Sequence, residues 1–180
     1  MSWICTAFRG CMLSAPQDMS VPLMPPGVQQ FLMFNSSPEL ETAFAARLPS
    51  GTGGPVFHGS PAPRLWRIVT DGLRNMTDTP FMIHGAASGP GIYLADEPSM
   101  SLSYSGAFVD TWRHSAFRGK TVLLGCELEG HTAQATHAIA EEARVLVRFI
   151  IIGPSGFAAP QARLIGDAMK STFAALRTRG

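Results

Sequence analysis

Apolar residues fall along this chain in blocks of two lengths. Thr121 to Leu128 (TVLLGCEL) and Arg144 to Ile152 (RVLVRFIII) are apolar runs broken by few polar side chains, and their length is that of a strand. Shorter apolar stretches at Gln29 to Asn35 (QQFLMFN), Pro55 to His58 (PVFH) and Gly91 to Ala95 (GIYLA) predict three further strands. Helical spacing takes over elsewhere. Ser37 is placed to cap a helix through SSPELETAFAARL, with Pro38 in the first turn and Glu39 and Glu41 at its positive end. Leu65, Ile68 and Val69 mark a helix over Ala62 to Asp71 that Gly72 ends, with Trp66 read as core. A short helix is expected from Glu97 to about Tyr104. Ile165, Met169, Phe173 and Leu176 step by four, four and three along a closing amphipathic helix that begins near Pro160. Its basic residues, Arg163, Lys170, Arg177 and Arg179, read as a solvated face. Residues 1–27, with Pro16, Pro22, Pro25 and Pro26, read as an irregular arm before a single domain over 28–180. Strands and helices mix without βαβ alternation, so the fold class is α+β.

Composition narrows the function. The 180 residues are 46% hydrophobic and 15% charged, which suits one compact domain with a real core and excludes global disorder. Fourteen Lys and Arg against 13 Asp and Glu create no strong field to draw in nucleic acid or an acidic membrane. Cys5, Cys11 and Cys126 make no CxxC pair, so a disulfide framework is not expected and a reducing compartment is. The opening MSWICTAFRGCML lacks the basic-then-apolar order of a signal peptide, and the apolar runs are far short of the roughly 20 residues of a membrane helix. The expectation is an intracellular protein, cytoplasmic or nuclear, monomeric and with no membrane partner.

Several generic motifs fail. Gly119-Lys120-Thr121 lacks the earlier glycine of a P-loop, because that position is His114, and a strand rather than a helix follows. Gly89-Pro90-Gly91 has Leu94 where a dinucleotide fingerprint needs a small residue. Gly153-Pro154-Ser155-Gly156 is one residue short of a nucleophile elbow. His131 and His137 stand six apart with no acidic partner at helical spacing, so no metal is expected.

One constellation survives. Val56-Phe57-His58-Gly59-Ser60 ends a strand on a histidine, then offers a glycine and a hydroxyl. Tyr93 stands on the next strand and Tyr104 follows eleven residues later; these are the only two tyrosines, in a chain with 11 Phe. The ordered words FHGS, W-x-I-x-x-x-GL, HGAA-x-G-x-GIYL and S-x-S-x-x-Y resemble the catalytic domain of the poly(ADP-ribose) polymerase superfamily of ADP-ribosyltransferases. The likeness covers about Gln29 to Ile152 and is greatest to the mono-ADP-ribosylating branch, with a His-Tyr-X set.

That resemblance implies a split mixed or antiparallel sheet with short flanking helices, and NAD+ as co-substrate. It implies roles for individual residues. His58 would bond the adenine-side ribose, which Ser60 would also touch. The Gly59 backbone and the Ser101 hydroxyl would clamp the nicotinamide carboxamide, with Tyr104 stacked on the ring and Tyr93 closing the pocket. His84 would reach the adenine or the pyrophosphate. These residue types suit the task, since a planar amide-bearing ring needs a donor, an acceptor and an aromatic platform, and a glycine permits close backbone approach.

In chain-elongating members of the family a third motif position holds Glu. Counting back twelve from Arg148 puts Thr136 there, and Glu141 and Glu142 do not fill the slot without a gap. The resemblance with this departure implies transfer of a single ADP-ribose to an acceptor, with a protein side chain, the protein's own included, ranked first. A catalytically weak or inactive NAD+- or ADP-ribose-binding pseudo-enzyme is the runner-up, and a nucleic-acid-end acceptor ranks last.

Overall fold

The computed structural model describes residues 11–35, 38–48, 52–77, 89–106 and 114–179. Among the described residues, seven strands form one sheet: β1 (Cys11–Ser14), β2 (Gln29–Asn35), β3 (Gly54–Gly59), β4 (Ile92–Ala95), β5 (Lys120–Leu128), β6 (Thr136–Ile139) and β7 (Val145–Pro154). Their order is β1-β2-β7-β5-β3-β4-β6 and every neighbouring pair is antiparallel. The two most apolar runs, β5 and β7, lie side by side near the centre and are buried on both faces. That explains why they read as continuous rather than alternating: neither face meets water.

The described residues also form helices α1 (Pro38–Arg47), α2 (Leu65–Asp71), α3 (Pro98–Leu102) and α4 (Ala162–Arg179). On one face of the sheet, Val122, Leu124, Cys126 and Leu128 pack with Ile68 and Val69 of α2. On the other, Phe57, Leu123, Phe149 and Ile151 meet the Ile165, Met169, Phe173 and Leu176 stripe of α4. The period-2 alternation of β5 against the 3.6-residue period of α4 is what builds this second layer.

Four sequence expectations change. The arm assigned to residues 1–27 is not irregular throughout: β1 pairs with β2, and Met19 and Val21 are buried under α4, where Thr172 donates a hydrogen bond to the Met19 carbonyl at 3.1 Å. β6, which lacks an apolar run, is a four-residue edge strand formed by pairing with β4. Trp66 is 45% exposed rather than core, because α2 turns Ile68 and Val69 to the sheet instead. Arg177 leaves the solvated face of α4 to pair with the buried carboxylate of Glu127. Ser37, the expected helix cap, lies outside the described residues.

The sheet almost divides between β3 and β4. Among the described residues these strands are in register at a single pair, Phe57 with Ala95. Beyond it they diverge, and a cavity opens at the divergence.

Candidate active site

The cavity measures about 560 Å³, within the range of small-ligand sites. Its wall contains His58, Gly59, Ser60, Tyr93, Ser101, Tyr104 and Thr136, so seven of the eight residues singled out in the sequence meet around one space. The eighth, His84, lies outside the described residues.

His58 stands where the β3–β4 ladder ends. Its Nδ1 lies 2.8 Å from the Tyr93 carbonyl oxygen. A carbonyl only accepts, so Nδ1 carries the proton and the neutral ring keeps Nε2 as an acceptor. Desolvation in this niche pulls the His58 pKa below the ordinary histidine value; the bond to Tyr93 opposes the shift and the nearby Arg64 charge adds to it. The ring is therefore neutral at physiological pH, an acceptor suited to a ligand hydroxyl.

Gly59 is required by its neighbour. A Cβ there would lie 1.7 Å from the Ser101 carbonyl oxygen, so only glycine lets the end of β3 lie against α3. Pro98 opens that helix at a first-turn position, and Ser101 on its buried side donates its hydroxyl to the Phe57 carbonyl at 2.9 Å. The Ser101 oxygen retains lone pairs for a ligand donor. Ser60 is buried at the cavity edge.

The tyrosines differ. Tyr93 is half-buried and its hydroxyl donates to the Gly89 carbonyl at 2.6 Å, holding the turn that leads into β4. Gly91 in that turn has φ +150°, and a Cβ on it would come within 2.8 Å of the Ile139 nitrogen, so glycine serves here too. Tyr104, just beyond α3, is 53% exposed and lines the cavity. Thr136 opens β6 opposite Ala95. The two glutamates weighed for its position turn elsewhere. Glu141 pairs with Arg47, and Glu142 pairs with Arg74 while accepting the Asn75 N–H at 2.8 Å.

Sequence reasoning missed three cavity arginines, Arg64, Arg67 and Arg74. Arg67 and Arg74 make ion pairs with Asp71 and Glu142. These cations suit an anionic ligand. Spacing gave no sign of them, since they come from the residue before α2, its first turn and the loop after it. Sequence reasoning also found no acidic partner for His131 and His137; the fold supplies Asp96 from the end of β4, with Oδ1 at 2.9 Å and 2.6 Å from their Nε2 atoms.

Residues 37–145 match the family model described as the poly(ADP-ribose) polymerase catalytic domain. The chain belongs to that family. The chain is also 31% identical over 106 residues to the mouse and human proteins named protein mono-ADP-ribosyltransferase PARP8. The aligned part is 59% of this chain and spans only 12% of those relatives. Among the described residues, no helix is long and apolar enough to cross a membrane.

Proposed function

We propose that this protein transfers a single ADP-ribose from NAD+ to an acceptor, with a protein side chain, its own included, ranked first. The observation that carries this reading is the convergence of His58, Gly59, Ser101 and both tyrosines on one cavity, with Thr136 rather than a carboxylate beside them. His58 Nε2 accepts a hydrogen bond from the adenine-side ribose hydroxyl, near Ser60. The Gly59 backbone and Ser101 hold the carboxamide of nicotinamide, and the Tyr104 ring stacks on it. The cavity arginines face the pyrophosphate.

Holding both halves of NAD+ favours the geometry in which the nicotinamide–ribose bond breaks. The bonding pair leaves with nicotinamide, positive charge develops on the ribose, and the acceptor's lone pair closes on the anomeric carbon as its proton is lost. Thr136 has no negative charge to orient a second ADP-ribose, so the reaction ends after one transfer. The name of the curated relatives, mono-ADP-ribosyltransferase, supports the same outcome.

The uncharged Thr136 also favours a second reading, an NAD+-binding pseudo-enzyme without turnover. Purified protein incubated with labelled NAD+ distinguishes them, read by nicotinamide release and intact mass, beside His58→Ala and Tyr104→Ala. A single ADP-ribose mass step lost in both variants is expected. NAD+ binding without nicotinamide release would establish the pseudo-enzyme. Modification of a phosphorylated DNA or RNA end, with none on protein, would move the acceptor to nucleic acid.

A further inference from the structure

Asp96, His131 and His137 meet around one point. Asp96 follows β4, His131 lies in the loop after β5, and His137 is the second residue of β6. One ligand atom from each lies within 4.8 Å of the others. The His137 side chain is only 2% exposed, and those of Asp96 and His131 are 23% and 22%. Adjacent strand residues face opposite ways, so His137 points away from the side on which Thr136 meets the cavity.

The surroundings are arranged around this group. Gln134 donates its backbone N–H to Asp96 Oδ2 at 2.8 Å, and its side-chain amide lies 2.7 Å from His137 Nδ1. The His131 ring lies over Gly54, where a Cβ would come within 2.2 Å of its Cγ, so a glycine makes its place.

We propose that Asp96, His131 and His137 bind a divalent transition-metal ion of the zinc class. Two imidazoles and one carboxylate form a three-ligand set that zinc completes with water; magnesium and calcium prefer all-oxygen shells. Both imidazoles now donate Nε2–H to Asp96 Oδ1. On metal binding each ring proton moves from Nε2 to Nδ1, so the neutral rings release no net proton. His137 Nδ1–H then donates to the Gln134 amide oxygen once that amide turns over, giving the outer-shell partner that metal-bound histidines usually have. The ion would tie the β5–β6 loop to the end of β4. Among the described residues, β6 is an edge strand held to the sheet through β4 alone, and β4 meets β3 at one registered pair. The ion would thereby fix Thr136 beside the cavity.

The test uses the full chain with Cys5 and Cys11 changed to serine, to remove competing thiols. It is stripped with chelator and titrated with Zn2+ and with Co2+. One ion per chain is expected, with a melting temperature higher by roughly 5 °C and a cobalt spectrum without thiolate charge-transfer bands. Asp96→Asn and His131→Gln, both at partly exposed positions, should each weaken binding at least about tenfold while circular dichroism shows the fold retained. No stoichiometric ion, or binding unchanged in both variants, would overturn the proposal. None of these readouts depends on NAD+ turnover.

Discussion

The carbonyl oxygen of Ser101 lies 1.7 Å from where a β-carbon on residue 59 would stand. β3 and α3 are therefore fitted together through the missing side chain of Gly59. Gly59→Ala must push α3 outward, taking Ser101 and Tyr104 with it. The expected result is a stability loss of about 1–3 kcal/mol and an NAD+ affinity at least about tenfold weaker. Chemical denaturation and calorimetric NAD+ titration check the two effects. Unchanged affinity would show that the β3–α3 contact does not shape the ligand site.

His58 carries its proton on Nδ1 and has a lowered pKa. The folded state thus binds fewer protons at this site than the unfolded chain. Its contribution to stability is complete above the unfolded value near about 6.5 and is lost as pH falls through that value toward the folded pKa. NAD+ affinity should stay flat as pH is lowered to about 6.5 and drop only below it, when Nε2 gains a proton and can no longer accept. Nitrogen NMR of the ring with affinity measured across pH tests this. A midpoint above 7 would contradict it.

Tyr93 contributes a hydroxyl bond as well as a ring. Tyr93→Phe loses the 2.6 Å bond to the Gly89 carbonyl and keeps the ring, for an expected cost of about 0.5–1.5 kcal/mol. Hydrogen exchange at Gly91 and Ile92 should rise in this variant, because their turn loses its tie. Protection equal to wild type would mean the bond holds nothing in place.

Glu127 is fully buried on β5, yet its carboxylate is well supplied with donors. It accepts from the Gly53 N–H at 2.9 Å, from Arg148 Nε at 2.9 Å and from Arg177. Arg148 is the extra residue of a β7 bulge and reaches Glu41 on α1 at 2.8 Å. Glu127→Leu should cost about 3–5 kcal/mol in urea denaturation, since it leaves Arg148 buried with half its counter-charge. Adding Arg148→Leu should recover part of that loss. Additive single-variant costs would argue against the coupling.

Burial pushes the Cys126 thiol far up from its ordinary pKa. Iodoacetamide should leave it unmodified in the native protein and label it only as the chain unfolds. Peptide mass mapping identifies the site. Rapid native labelling would place Cys126 outside the core.

The sequence by itself determined the central strands and the closing helix, because long apolar runs and a sustained helical period allow few other placements. Its motifs also named seven of the residues that line the cavity, Gly59, Ser101 and the tyrosines among them, since these stand in short ordered words. Tertiary structure decided the rest. β1, inside a stretch that reads as an irregular arm, and β6, which has no sustained apolar run, become strands by pairing with β2 and β4. The exposed side of Trp66 depends on how α2 rolls against the sheet. Arg177 looks solvated until the fold brings the buried Glu127 50 positions away against it. Asp96 meets His131 and His137 across 35 and 41 positions of sequence, through strand pairing between β4 and β6. Local patterning fixes elements by burial period, whereas polar partners far apart in the chain are chosen only when the sheet sets its order and register.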